Sequence, residues 1–595
     1  MEKQFSKPKD QAEQYAYIPL DAGTKEIRLL RLLPEVDSTL KSNVRCEIIH
    51  ASLDDSPLYE ALSYVWGNPD VTVAISLEGK DFQVTENLHT ALLHLRHPDE
   101  VRVVWIDALC IDQNNIPERT SQVAQMGSVY RQASKVVLFL GPEEEDLNGA
   151  LHFFREFAAN PNLHYQTSLS PHFTYKSMTL DQRDLRVQIT RFFSLPWWLR
   201  LWTAQEFALA EEAVFQYGRH LVRASLIEKC WDHLRVHRFG CCKAPHRVFC
   251  WNNTNQPEGV LDAFNKFGNR YRLRHFRSHG ITLAVKFLTW VKYFRCSETS
   301  DPRDQIFALL GLLHEDLKDK LLPNYGHSTG RAYEEFAVQM IHLTESWDIL
   351  SFAQRLPGDQ ATDSLPLFAP DSTARIGISH GLSLRWASFD LFDACNGSHA
   401  EVIEANQGHI VTRAMLMDEI EKIATPDWKV QWQDLTPGGD SVSHIYLPDR
   451  GTLWQTTCGG ILTDATGTVF RLAQSADFRS YEKWFKWRQS GEDESETDVR
   501  FFNNAWYSVT DHRNFATTRG GFIGFVPDVA EPGDRIVILP GGKVPYVLRR
   551  SSDVYTETSS TSGVPRYEFL GDAYIHGIMH GEAYDESKLE RIILM

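Results

Sequence analysis

Residues 102–141, RVVWIDALCIDQNNIPERTSQVAQMGSVYRQASKVVLFLG, decide the fold. Residues 102–107 form a short apolar run, read as a buried strand that ends on Asp107. Pro117 then stands early in the next segment, where its missing N–H costs a helix little. Val123, Met126, Val129, Tyr130 and Ala133 follow at helical spacing. Residues 135–141 are a second buried strand. Strand, helix and strand in succession, with both strands apolar throughout, predict an α/β domain with a parallel sheet. Asp107 falls at a carboxyl strand end, where such sheets gather functional groups.

Working outward, residues 26–33 and 44–50 read as two strands of an opening hairpin, with a turn over 54–57. Residues 59–65 start a further strand that breaks at Gly67-Asn68-Pro69. Residues 71–75 are another, and Thr85-Glu86 opens an amphipathic helix with Leu88, Ala91, Leu92 and Leu95 on one face. On the other side, an insertion over 146–194 separates the last strand from residues 196–210, PWWLRLWTAQEFALA. Read as a helix, this stretch puts Trp202 and Glu206 one turn apart on one face, with Gln205 beside them. A carboxylate among indoles and leucines is costly to bury. Catalysis is one account of it; an ion pair with a nearby arginine is the other.

From 221 to 350 the chain reads as mainly helical, with a helix start at Asp301-Pro302 and a stop at Gly311. After 365 strands return, at 409–413, at 567–576 and in a hairpin of 535–539 with 544–548 around Pro540-Gly541-Gly542. The expected organisation is a tail and first strand over 1–44, an α/β domain over 45–215, a helical region over 216–364, and a small β-rich domain with insertions over 365–595. An acidic loop at 491–498 is placed on its surface.

A chain of 595 residues is too long for one core, and about three domains are expected. The composition, with 43% hydrophobic residues, 16 Trp, 20 Tyr and 33 Phe, argues against long disorder. A net charge of −17 argues against a nucleic-acid partner, and the basic run 272–277 reads as a solvated helix face. Residues 1–7 contain no apolar core of a secretory signal, and no apolar run is long enough to span a membrane. A cytoplasmic protein with its nine cysteines reduced is expected.

No phosphate-binding loop, dinucleotide fingerprint or nucleophile elbow is present. Cys230, His233, His237, Cys241, Cys242, His246 and Cys250 are residue types that bind zinc. They contain no Cys-x-x-Cys pair, and adjacent Cys241 and Cys242 are awkward in a single tetrahedron. Buried thiols and surface histidines are the expected account, so no metal is assigned.

Three blocks carry a resemblance: 59–67 (YEALSYVWG), 105–127 (WIDALCIDQNNIPERTSQVAQMG) and 200–206 (RLWTAQE). They resemble the signature blocks of the fungal heterokaryon-incompatibility (HET) domain, over roughly 45–215. Residues 301–304 and 541–582 resemble segments that accompany that domain. The resemblance implies fungal self/non-self recognition and regulated cell death. It also implies a distant likeness to TIR domains, and so a flavodoxin-like α/β fold. Some TIR domains cleave NAD. In their pattern Ser63-Tyr64 ends the first strand, Asp107 ends the second, and Glu206 follows Trp202 as the catalytic carboxylate.

The implied reaction is hydrolysis of NAD or NADP at the nicotinamide–ribose bond, with the dinucleotide as substrate and no resident cofactor. Its transition state resembles an oxocarbenium ion, and nicotinamide leaves neutral from a cation. One carboxylate therefore suffices, to hold ribose hydroxyls and stabilise positive charge. Glu206 takes that role, with Ser63, Tyr64, Trp66, Gly67, Asp107, Arg200 and Trp202 as substrate-binding residues. Tyr64, Trp66 and Trp202 offer rings to stack on nicotinamide or adenine, and Arg200 offers a charge for phosphate. Asp112, Gln113 and Glu118 are expected to organise the loop and helix entry. Self-assembly and an unidentified protein activator are expected partners by the same likeness. The alternatives are a non-enzymatic signalling or oligomerisation module, and a nucleotide sensor that binds without cleaving.

Overall fold

β1 (Glu26–Leu32) and β2 (Arg45–Ser52) pair antiparallel, as the opening hairpin requires. The computed structural model describes residues 15–21, 23–34, 44–143, 146–179, 183–242, 260–294, 297–352, 380–406, 408–424, 450–463, 469–490, 497–551 and 563–595. The tail over 1–14, His246, Cys250 and residues 491–496 of the expected acidic loop lie outside them. The chain divides into two compact units, 1–283 with 297–326, and 284–296 with 327–595. The boundary expected near 215 therefore does not coincide with an edge of the first unit.

In the first unit the strands continue with β3 (Glu60–Ser63), β4 (Thr72–Leu77), β5 (Lys80–Thr85), β6 (Arg102–Trp105), β7 (Lys135–Gly141), β8 (Ala213–Tyr217) and β9 (His220–Arg223). Among the described residues they form a nine-stranded sheet of order β5-β4-β2-β1-β6-β3-β7-β8-β9. The inner strands β6, β3, β7 and β8 are parallel neighbours. The sheet as a whole is mixed, so the parallel sheet expected from the sequence is its inner part. β1 runs antiparallel to both β2 and β6, so the opening hairpin extends the parallel core on one side. The β8–β9 hairpin, turned at Gly218 with φ of 54°, extends it on the other.

The helices of this unit are α1 (Glu86–Leu95), α2 (Asp107–Cys110), α3 (Ile116–Gln132), α4 (Asn148–Ala159), α5 (Arg183–Phe192), α6 (Trp202–Leu209), α7 (Ala224–Phe239) and α8 (Val260–Leu273), followed by short turns such as Asp304–Phe307. Local chemistry sets their starts. Thr85 caps α1 by accepting from Leu88 N, and Asn115 caps α3 by accepting from Glu118 N, with Pro117 in the first turn. Glu118 also pairs with buried Arg28 at 2.6 Å and accepts from Asp112 N at 2.8 Å, so it does organise the loop. Removing one partner of such a buried pair costs about 3–5 kcal/mol. α3 lies hard against the turn Leu310–Leu312: a Cβ on Gly127 would stand 2.8 Å from Gly311 Cα.

The second unit begins its strands with β10 (Glu404–Asn406), β11 (His409–Ala424), β12 (Ile461–Thr463) and β13 (Phe470–Leu472). It continues with β14 (Arg513–Thr518), β15 (Ile523–Pro527), β16 (Arg535–Ile538), β17 (Tyr546–Arg550), β18 (Arg566–Asp572), β19 (Tyr574–Ile575) and β20 (Leu589–Leu594). The hairpin expected around Pro540-Gly541-Gly542 is the β16–β17 pair. β16 also pairs with β11, so β11, β16, β17, β18 and β20 close on themselves as a barrel. Two register shifts let the long β11 serve β20, then β16, then β14. No helix among the described residues is long and apolar enough to cross a membrane.

Candidate functional site

The stretch 196–210 is not one helix. Pro196–Trp198 makes a single 3₁₀ turn, and α6 begins only at Trp202. The break frees backbone carbonyls, and a buried cation collects them. Arg270 of α8 donates through Nη2 to Trp198 O at 2.9 Å and Arg200 O at 3.0 Å. Its guanidinium lies 5.7 Å from the Trp197 and Trp198 ring centres. Burial brings its pKa down to about 9, against the opposing pull of Glu206.

α6 packs against α3, α8, β3 and β7, and every residue in it is buried. That places the Glu206 carboxyl, 3% exposed, beside the carboxyl end of β3. The Ser63 hydroxyl accepts from Trp197 Nε1 at 2.8 Å and donates toward Glu206. Glu206 Oε2 has no hydrogen-bond partner, and among the described residues no cation closes an ion pair with this carboxyl. Burial pushes its pKa up to about 7, although Arg200 and the Ser63 hydroxyl favour the anion; nearby Asp107 raises it further. Arg200 and Arg270 still act on the carboxyl at longer range, both favouring its anion.

Around it stand residues from the neighbouring strand ends. Asp107, at the start of α2 just beyond β6, accepts from Trp66 Nε1 at 2.7 Å and from Ala108 N at 2.7 Å. Burial raises its pKa, while Arg200, the Trp66 N–H and the Ala108 N–H oppose the shift. The buried Tyr64 hydroxyl faces Asp107 without closing a full hydrogen bond. Its pKa is held well above the usual range by burial, with Asp107 and Glu206 adding to the effect. Arg200 reaches the Tyr64 carbonyl through Nη1. Trp66, Asp107 and Arg200 are partly exposed, whereas Ser63, Tyr64 and Glu206 are buried. The group therefore runs from half-exposed side chains to a buried carboxyl. Gly67 holds the exposed turn beside Trp66 at φ of 79°, a conformation that favours glycine.

Two residues named from the sequence turn elsewhere. Trp202 Nε1 donates to buried Asp304 Oδ2 at 3.0 Å, and Tyr325 Oη donates to Oδ1 of the same carboxyl. Gln205 Oε1 accepts from Gly311 N at 2.8 Å. Both fasten α6 to the segment 297–326. Two residues were missed. Tyr130 of α3 donates to Leu62 O at 3.1 Å and feels the charges of Glu206, Asp107 and Arg200; its helical spacing marked it only as core. Arg270 carried no local signal, since its partners lie some 70 residues away. The buried oxygens and the partly exposed ring and guanidinium suit a polar organic ligand.

Residues 59–206 match the family model described as heterokaryon incompatibility protein (HET), and residues 479–595 match that of the Het-6 β-barrel domain. The HET match opens one residue before β3 and closes on Glu206. The chain is similar to heterokaryon incompatibility protein 6, OR allele, of Neurospora crassa, at 24% identity over 685 residues covering 98% of each chain. No solved structure matches. The HET resemblance drawn from the three sequence blocks is shown by these findings.

Proposed function

We propose that the HET domain at 59–206 is the effector of a heterokaryon-incompatibility protein, and that it hydrolyses NAD or NADP at the nicotinamide–ribose bond. The observation that carries the proposal is Glu206: a buried carboxyl with an oxygen lacking any partner, next to the ends of two parallel strands. A structural carboxylate in such a place would be paired, because an unpaired buried charge is costly. In the reaction, the glycosidic C–N bond breaks with its electron pair going to nicotinamide. Glu206 stabilises the positive ribose and orients its hydroxyls, and water then attacks the anomeric carbon, releasing a proton. Ser63 holds the carboxyl in place. Asp107 reaches a second ribose hydroxyl, Arg200 a phosphate, and the Trp66 ring a base.

The order β6-β3-β7-β8 supports a doubly wound, TIR-like reading, since numbered among themselves these parallel strands run 2-1-3-4. In that arrangement ligands bind at the carboxyl strand ends. The burial of Glu206 favours a silent resting state that opens on activation. Self-assembly and a protein activator are proposed for that step, with the barrel-containing unit as sensor and cytoplasmic cell death as the output.

The test is nicotinamide release from NAD and NADP by purified protein, with Glu206→Gln beside it. Turnover that falls at least about a hundredfold in the variant is expected, in the range for loss of one charge-stabilising group. Undiminished turnover in Glu206→Gln would remove the site assignment. Cell death by both proteins without any turnover would favour a non-enzymatic signalling module. Saturable dinucleotide binding without release would favour a sensor.

A further inference from the structure

The clustered histidines and cysteines regroup in the fold. Cys230 is buried within α7, and His233 Nδ1 is engaged with Phe157 O at 2.8 Å, so neither joins the others. In their place comes His164, from the loop after α4. Its Nδ1 lies 3.3 Å from both the Cys241 and the Cys242 sulfur. His237, near the end of α7, puts Nδ1 at 3.1 Å from Cys241 Sγ and 3.7 Å from Cys242 Sγ. One ligand atom from each of these four residues lies within 4.8 Å of all the others.

We propose that His164, His237, Cys241 and Cys242 bind one zinc ion in a closed structural site. The separations carry this. A tetrahedron with Zn–N of about 2.0 Å and Zn–S of about 2.3 Å has edges of roughly 3.3–3.8 Å, close to the contacts seen. The second shell agrees. His237 Nε2 is 2.7 Å from Pro161 O, which makes Nε2 the protonated nitrogen and turns the Nδ1 lone pair to the sulfurs. Backbone bonds hold the ligands in register: Cys242 N donates to His237 O at 2.9 Å, Tyr165 Oη donates to Cys242 O at 2.8 Å, and Phe173 N donates to His164 O at 2.8 Å. Hydrogen bonding among thiols alone gives these side chains little reason to converge, since S–H is a weak donor. Two thiolates and two imidazoles are a borderline-soft set that suits zinc, and four protein ligands leave no open position for chemistry. On binding, each thiol loses its proton to solvent, and two thiolates neutralise the dication. The ion would pin the loop after α4 to the end of α7.

The experiment uses the full chain purified without chelator. Elemental analysis is expected to give about one zinc per chain. The double variant Cys241→Ser/Cys242→Ser and the single variant His164→Ala are expected to retain none above background, while Cys230→Ala keeps its zinc. A readout that does not depend on the variants folding is the Cys241 thiol, which is exposed. In the wild-type protein it should resist a thiol reagent until chelator is added. Cobalt in place of zinc should give the intense visible bands of a tetrahedral thiolate site. A metal-free protein whose Cys241 reacts equally fast with and without chelator would overturn the proposal. So would zinc that survives in the Cys241→Ser/Cys242→Ser variant, because the ion would then lie elsewhere.

Discussion

Glu206 is a residue that the fold keeps at a cost, and the sign of that cost is measurable. Burial raises its pKa from 4.5 to about 7, so folding favours the protonated acid. Below about pH 4.5 both folded and unfolded chains carry the proton and no penalty exists. As pH rises from there to about 7 the folded protein loses stability, and above about 7 it bears the full cost, roughly 3 kcal/mol. Glu206→Gln removes the charge and nearly keeps the shape. The variant is therefore expected to melt above the wild type at pH 8 and level with it at pH 4.5, checked by thermal unfolding across that range. Melting curves that stay parallel at every pH would show that the carboxyl is not desolvated as the fold implies. Under the proposed chemistry the active form is the anion, so turnover should climb with pH through about 7, opposite in sign to stability. The sequence disclosed this residue through its neighbours: a lone Glu among Trp, Leu, Ala and Phe in 196–210 has few reasons to be buried. It did not disclose Arg270 or Tyr130, because a single chain carries no record of which distant helices pack on α6.

At the scale of elements, the legible parts were those set by short-range chemistry. Caps at Thr85 and Asn115, the break at Gly67 and the Pro540-Gly541-Gly542 hairpin all follow from residues within a few positions of one another. The parallel inner strands followed from their apolar runs, but the antiparallel edges did not, since pairing direction depends on which strand arrives alongside. The segment 196–210 departs from the single helix its periodicity predicts for a related reason. Its periodicity continues through 199–201, but Arg270 offers the Trp198 and Arg200 carbonyls a better partner than the next helical turn. Trp202 shows how an element can reassign a side chain. Its spacing to Glu206 puts both on one face, yet its N–H is committed to Asp304, which is buried and raised in pKa by that burial. Trp202→Phe keeps one aromatic ring but removes the donor and part of the buried indole's volume. It is expected to lower stability by at least about 1–3 kcal/mol, the cost of a buried oxygen left short of a partner, with the cavity adding to it. KM for the dinucleotide should stay near its wild-type value. A large rise in KM with unchanged unfolding would instead make the indole a substrate contact.

At the scale of the whole molecule, the family match ends at Glu206, but the unit that holds Glu206 runs to 326 and omits 284–296. The difference has physical content. Arg270 lies beyond the matched region and takes up carbonyls freed at the start of α6; Asp304 and Gly311 lie further on and receive Trp202 and Gln205. A fragment cut at the boundary read from sequence, 1–215, would leave those carbonyls, the indole N–H and the Gln205 amide without partners in what had been a buried helix. Each such group costs about 1–3 kcal/mol, and together they rival the usual net stability of a domain. The fragment is expected to unfold without a cooperative transition. A second fragment, 1–326 with 284–296 replaced by a Gly/Ser linker of equal length, keeps every one of those partners. It also discards Phe287, Leu288 and Trp290, whose burial belongs to the other unit. Cooperative denaturant unfolding of the second fragment and not the first is the expected outcome. Equal cooperativity in both would mean that α6 needs nothing beyond the matched region. The catalytic proposal would then rest on a smaller domain, with the segment 297–326 free to act on it from outside.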